Sequence, residues 1–186
     1  MKLTTRDRII AAAIQTLASN PVSTLDEIAE AAGVGRATLY RHFESRKALI
    51  KEMITDAGQK MEVAILPILT CPLSAEKKLA KLVRAIIPMG ASLHFTVYEP
   101  LHHDDPEVIE GHDKVIGQFK DLCRGLKTEG IASPDVPEAW LVASLDMMIF
   151  TAWESIRRGD IAANDAPDLV LRTYLSGIGA ARNPQS

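Results

Sequence analysis

Between Thr24 and Leu49 the chain reads TLDEIAEAAGVGRATLYRHFESRKAL, a stretch that admits little besides two short helices joined by a glycine turn. Thr24 followed three residues later by Glu27 is a capping box, in which hydroxyl and carboxylate satisfy each other's unpaired amides, so a helix begins near Leu25. Leu25, Ile28, Ala29 and Ala32 recur at the spacing of one helical face, and Gly33 accepts the left-handed backbone that ends a helix. After Val34 and Gly35, residues 37–43 suit a second helix with Leu39 and Phe43 four apart on its inward face. Arg36, Thr38, Tyr40, Arg41 and His42 then stay outward or flanking.

The outward residues supply what a nucleic-acid duplex requires: guanidinium donors for guanine edges or phosphates, hydroxyls for phosphate oxygens, and a methyl-bearing surface for thymine. The pattern is a helix-turn-helix. It resembles the TetR family of transcriptional regulators in Gly33-Val34, in Ala37-Thr38-Leu39-Tyr40-Arg41-His42-Phe43, and in the following Ser45, Arg46 and Leu49. Arg46 stands where the family commonly has Lys, which keeps the cation and changes its geometry. Position 26, often basic in the family, is Asp here and reads as a first-turn charge that favours the helix dipole; the first helix also lacks the aromatic residue usual near its end.

Within this motif Arg36, at the start of the recognition helix, is the first choice for a base contact. Ala37 and Thr38 are expected against thymine methyl groups or nearby backbone, and Tyr40, His42 and Arg46 on phosphates. Arg41 suits either role, and Thr24 adds a phosphate contact to its cap.

Elsewhere the periodicity is helical and no hairpin signal separates alternating strands, so the fold expected is all-α. A helix over 5–19 carries Ile10, Ala13, Ile14 and Leu17 on one face and completes a three-helix N-terminal headpiece. A long helix over 45–66, ended by Pro67, joins it to a larger helical ligand-binding and dimerisation body with helices near 74–87, 106–129, 135–158 and 165–181. The organisation expected is a DNA-binding domain over 1–50, an effector-binding and dimerisation domain over 51–182, and a tail over 183–186. Residues 1–51 carry a net charge of +3 and residues 52–186 one of −6, a basic head on an acidic body.

No apolar run approaches the roughly 20 residues that span a bilayer, and MKLTTRDR lacks a signal-peptide core, so the expected location is cytoplasmic. Cys71 and Cys123 belong to no CxxC or CxxH spacing and are read as reduced thiols. No cofactor is expected.

Over 138–156, Trp140, Ala143, Met147 and Thr151 form one stripe and Leu141, Leu145, Ile149, Trp153 and Ile156 another, so this helix must be covered on two sides. The last helix offers Leu169, Val170, Thr173 and Ile178 beside the small Ser176, Gly177, Gly179 and Ala180. A single monomer core and a dimer interface both satisfy this pattern. The resemblance implies the second: a homodimer built through the last two helices, with Trp140, Met147, Leu169, Val170, Thr173, Gly177 and Ile178 in its interface. Such a dimer calls for a roughly palindromic operator whose half-sites lie about one helical turn or a multiple apart.

The poorly periodic segment MGASLHFTVYEPLHHDD, 89–105, carries three readings. It is a solvated loop whose Asp105-Pro106 caps the next helix; or it lines a small-molecule pocket with Met89, His94, Phe95, Tyr98, Phe119, Met148, Phe150 and Trp153, in keeping with effector binding in TetR-like bodies; or it gathers His94, His102, His103 and Asp105 or His112 on a divalent metal, even as a metal-dependent enzyme. Adjacent histidines turn poorly to one ion, and neither HxxxH nor HExxH occurs, so no metal is expected. No GxSxG elbow, GxxxxGKS loop or GxGxxG after a strand points to another enzyme. The function expected is that of a sequence-specific DNA-binding regulator, a repressor released from its operator by a small-molecule effector. An effector-independent regulator is the alternative.

Overall fold

In the computed structural model the described residues are 3–90, 92 and 104–179. Among them are eight α-helices and no strand: α1 (Thr5–Ser19), α2 (Leu25–Ala31), α3 (Arg36–His42), α4 (Arg46–Thr70), α5 (Ala75–Ile86), α6 (Pro106–Thr128), α7 (Glu138–Arg158) and α8 (Ala166–Ile178), with a 3-10 turn at Ile87–Met89. Contacts divide the chain into two compact units, 1–60 with 91–110, and 61–90 with 111–186.

In the first unit, α1 begins with a capping box between Thr4 and Asp7, the same device that Thr24 and Glu27 supply to α2. Ile9, Ile10, Ala13, Ile14 and Leu17 of α1 form one buried cluster with Ile28, Ala29, Leu39, Phe43, Leu49 and Met53, so a three-helix head closes over the start of α4. Gly33 takes φ +64°, the left-handed turn its position between α2 and α3 requires. Further along α4, Ile50 and Ile54 pack with Val108 at the start of α6. Asp105 caps α6 by accepting from the Glu107 amide at 3.1 Å, and its other oxygen lies 3.0 Å from Lys51 Nζ.

Helix α4 does not stop before Pro67, as expected, but runs through it to Thr70. Proline cannot donate to the carbonyl four residues back, here that of Val63, and Val63 is 76% exposed, so the freed carbonyl lies on a solvent-facing side of the helix. The last turn is tied by Thr70 Oγ1 donating to Leu66 O at 2.8 Å.

The second unit packs α8 against α7 and α5. Val170, Tyr174 and Ile178, four residues apart, form the inward face of α8, and the buried Tyr174 hydroxyl donates to Leu141 O of α7 at 2.8 Å. Burial raises the pKa of that phenol and of the neighbouring Cys123 thiol, so both stay neutral. Helix α7 is long and apolar enough by length and composition to cross a membrane, but Leu141, Val142, Leu145, Ile149 and Ala152 are spent on the core of this unit.

Candidate nucleic-acid interface

The start of α2 is set by Thr24, whose amide donates to Glu27 Oε2 at 2.6 Å while its hydroxyl accepts from the Glu27 amide at 3.2 Å. The Thr24 amide and then its hydroxyl, both donating to the Glu27 carboxylate, hold that group below the usual carboxylate range. At the other end of α2, Arg8 reaches from α1 and donates through Nη2 to Ala32 O at 2.9 Å and Gly33 O at 3.1 Å. A cation thus caps the carbonyls just past the end of α2 and ties down the turn into α3.

Helix α3 buries Leu39 and leaves Arg36, Ala37, Thr38, Arg41 and His42 with Tyr40 toward solvent or half-buried. Arg36 Nη1 lies 3.1 Å from Asp26 Oδ2, and its guanidinium stands 5.5 Å from the centroid of the Tyr40 ring. Asp26 is therefore more than a first-turn charge: it meets the side chain chosen as base reader. Arg6 of α1 stands 5.9 Å from the centroid of Phe43, the residue that ends α3, and pairs with Glu52 of α4.

Arg46 sits differently from its sequence expectation. Its Nη2 donates to Pro21 O at 2.6 Å and its Nη1 to Ser23 O, so the guanidinium clasps the α1–α2 connection just ahead of the Thr24 cap. Two of the terminal donors that would hold a phosphate are spent inside the head. Neither this clasp nor the Arg8 cap has a sequence signature, since each joins residues 23–25 apart through backbone carbonyls. The Thr4–Asp7 box, by contrast, is a three-residue spacing that the sequence carries openly.

Of the residues proposed for a pocket, His94, Phe95 and Tyr98 lie outside the described residues, as do His102 and His103 of the metal reading. Met89 and Met148 are half-buried and Phe119 is buried in the second unit. Phe150 and Trp153 face one another with ring centroids 6.3 Å apart and planes tilted by 42°. Asp146, four residues before Phe150 and seven before Trp153, lies along the same side of α7. Asp146 keeps solvent contact, yet the protein crowding its carboxyl removes enough hydration to raise its pKa, while His112 pulls the other way. Among the described residues no group of three His, Cys, Asp or Glu side chains could hold a metal ion.

Of the residues expected in an interface, Trp140, Met147, Leu169, Thr173 and Gly177 are at the surface, Trp140 with 66% of its area exposed. Val170 and Ile178 are not: at 5% and 4% exposure their side chains are used inside one copy, because Tyr174 on the same face of α8 is anchored to α7.

Residues 9–53 match the family described as bacterial regulatory proteins, tetR family. The HTH-type transcriptional repressor LfrR of Mycolicibacterium smegmatis is 26% identical over 174 residues, which cover 94% of this chain and 90% of that one. The HTH-type transcriptional regulator NfxB of Pseudomonas aeruginosa is 26% identical over 185 residues, 96% of this chain and 95% of its own. In fold, the crystal structure of LfrR in complex with proflavine superposes with a TM-score of 0.80 at 24% identity, covering 95% of this chain and 97% of that one. With a glycine-turned helix pair that matches the tetR family's DNA-binding head over residues 9–53 and regulator relatives aligned over more than nine-tenths of its length, the chain is a TetR-like DNA-binding transcriptional regulator.

Proposed function

We propose that this regulator is a homodimeric, cytoplasmic repressor that reads a roughly palindromic operator through α3 and is released from it by an aromatic small molecule bound in the body. The carrying observation is the outer face of α3, where Arg36, Tyr40, Arg41 and His42 are exposed while Leu39 and Phe43 on the other face join the buried cluster of the head. Arg36 contacts a base edge, Ala37 and Thr38 a thymine methyl or adjacent backbone, Tyr40 and His42 phosphates, and Arg41 either. Thr24 adds a phosphate contact, and Arg46 acts mainly by holding the Thr24 cap in place. The surface residues Trp140, Met147, Leu169, Thr173 and Gly177 meet a second copy, which presents two α3 helices to successive major grooves.

For the effector, the aromatic pair Phe150 and Trp153 with Asp146 on the same side of α7 supports a flat, cationic aromatic guest, and LfrR, a relative over almost the whole chain, has been crystallised with proflavine. Release works only to the extent that such a guest prefers the conformation that cannot span adjacent grooves.

The test is selection of bound duplexes from a random pool, followed by titration of the winning sequence against salt and then against proflavine. A palindromic consensus, a steep fall of affinity with salt and dissociation by proflavine are expected. Enrichment of a palindrome that proflavine leaves bound would remove the aromatic-cation effector, and failure to enrich any sequence would remove the operator reading itself.

A further inference from the structure

Asp26 and Arg36 stand on consecutive helices of the motif. The carboxylate takes Nη1 of Arg36 at 3.1 Å, while the flat guanidinium stands 5.5 Å from the Tyr40 centroid. The side chain is thereby held at one end and along one face. Its fork still offers Nε and Nη2 as a free edge of parallel donors, the arrangement that matches O6 and N7 of guanine. An arginine at a helix start with no such partner would be a mobile cation drawn to whichever phosphate lay nearest. With Asp26 beside it, a phosphate gains little, because it must share or replace a charge already neutralised; a guanine edge is read by geometry and gains from the prior orientation. Both side chains are well exposed, 68% for Arg36 and 51% for Asp26, so the pair is weak enough for DNA to compete with it.

We infer that Asp26 is a positioning residue for base recognition: it holds Arg36 in its base-reading orientation and lowers the attraction of that guanidinium for phosphates, raising the ratio of operator to non-specific affinity. The inference rests on Arg36 as a base reader.

Removing any negative charge near DNA strengthens binding, so the decisive experiment is a double-mutant cycle rather than one variant. Affinities of the wild-type protein, Asp26→Asn, Arg36→Ala, the double variant and Asp26→Glu are measured for the selected operator, for operators substituted at each position, and for an unrelated duplex, across a salt series. Asp26→Asn is expected to tighten binding to the unrelated duplex by up to about fivefold, to change operator affinity much less, and to weaken the preference at one base position. On the Arg36→Ala background the same substitution is expected to shift all duplexes by one common factor, and Asp26→Glu is expected to retain most of the operator preference. If Asp26→Asn shifts operator and unrelated duplex alike when Arg36 is present, Asp26 contributes bulk charge only and the inference fails, although Arg36 can still be the reader. If Arg36→Ala itself leaves every base preference intact, the base-reader assignment fails and Asp26 with it.

Discussion

Gly90 lies so close against Trp153 that a Cβ added at position 90 would fall on the indole, at its Cδ1 and Cγ. The backbone there is right-handed, with φ −51°, so glycine is required by space rather than by conformation. This approach seats the 3-10 turn Ile87–Met89 against α7 and packs the indole beside Phe150.

Gly90→Ala is therefore expected to destabilise the protein by about 1–3 kcal/mol, the usual cost of forcing an extra methyl into a packed site. Denaturant unfolding followed by tryptophan emission checks it, and Gly90→Ala combined with Trp153→Ala should lose less than the sum of the two single losses. An additive double variant would show that the two residues are not in competition for one space.

Arg8→Met is expected to keep the hydrophobic stem and lose the two hydrogen bonds to Ala32 and Gly33, destabilising the head by about 1 kcal/mol. Because those carbonyls belong to the turn that aims α3, operator affinity should fall although Arg8 itself touches no DNA in this scheme. Rescue of affinity by raising the protein's stability elsewhere would support the capping role; a loss confined to the salt slope would instead mark Arg8 as a phosphate contact.

Arg46→Met separates the two roles of that side chain. With its guanidinium clasped on Pro21 and Ser23 carbonyls, the substitution is expected to lower the melting temperature as well as the affinity for every sequence. An unchanged melting temperature with a flattened salt dependence would restore Arg46 to the phosphate role read from sequence.

Glu154 accepts from Arg157 and Arg158, and these bonds depress its pKa from 4.5 to about 2. A carboxyl whose folded pKa lies below its unfolded value stabilises fully above the unfolded pKa, and that contribution disappears as pH falls through the folded one. Glu154→Gln should thus be less stable than wild type at pH 7 and converge with it between about pH 4.5 and pH 2. Asp7 and Glu27 are depressed in the same sense by their capping partners, so acid should fray the starts of α1 and α2 over the same side of neutrality. Urea titrations from pH 7 to pH 2 measure this; a constant gap between Glu154→Gln and wild type across that range would contradict it.

Trp140→Asp tests the proposed contact between copies. It places a charge on a residue already 66% exposed, so the folded protomer should survive while the dimer dissociates, as read by sedimentation. A helix-breaking substitution at Ile178 cannot make that distinction, because Ile178 is buried in one copy and its loss would damage the protomer first.

What could be read from the residues followed from local rules. The Thr24–Glu27 spacing gave the start of α2, Gly33 its end, and Leu39 with Phe43 the inward side of the following segment, because caps, left-handed turns and helical faces are set by neighbours within four residues. The Pro67 rule failed for a reason outside its window: the carbonyl that proline leaves without its helical partner belongs to an exposed residue, on a side of the helix open to solvent.

By itself, then, the sequence determined an all-helical chain, the helix-turn-helix and the set of polar side chains on the outside of α3, since all of these depend on short-range periodicity and capping. Only the tertiary structure decided that Asp26 holds Arg36, that Arg8 and Arg46 close the ends of the head from distant positions, and that Val170 and Ile178 belong to one copy's core. The physical reason is common to all four: a long cation, a carboxylate or an apolar face has many partners compatible with its local sequence, and which one it takes is settled by how separate helices pack against one another, beyond the reach of neighbours within four residues.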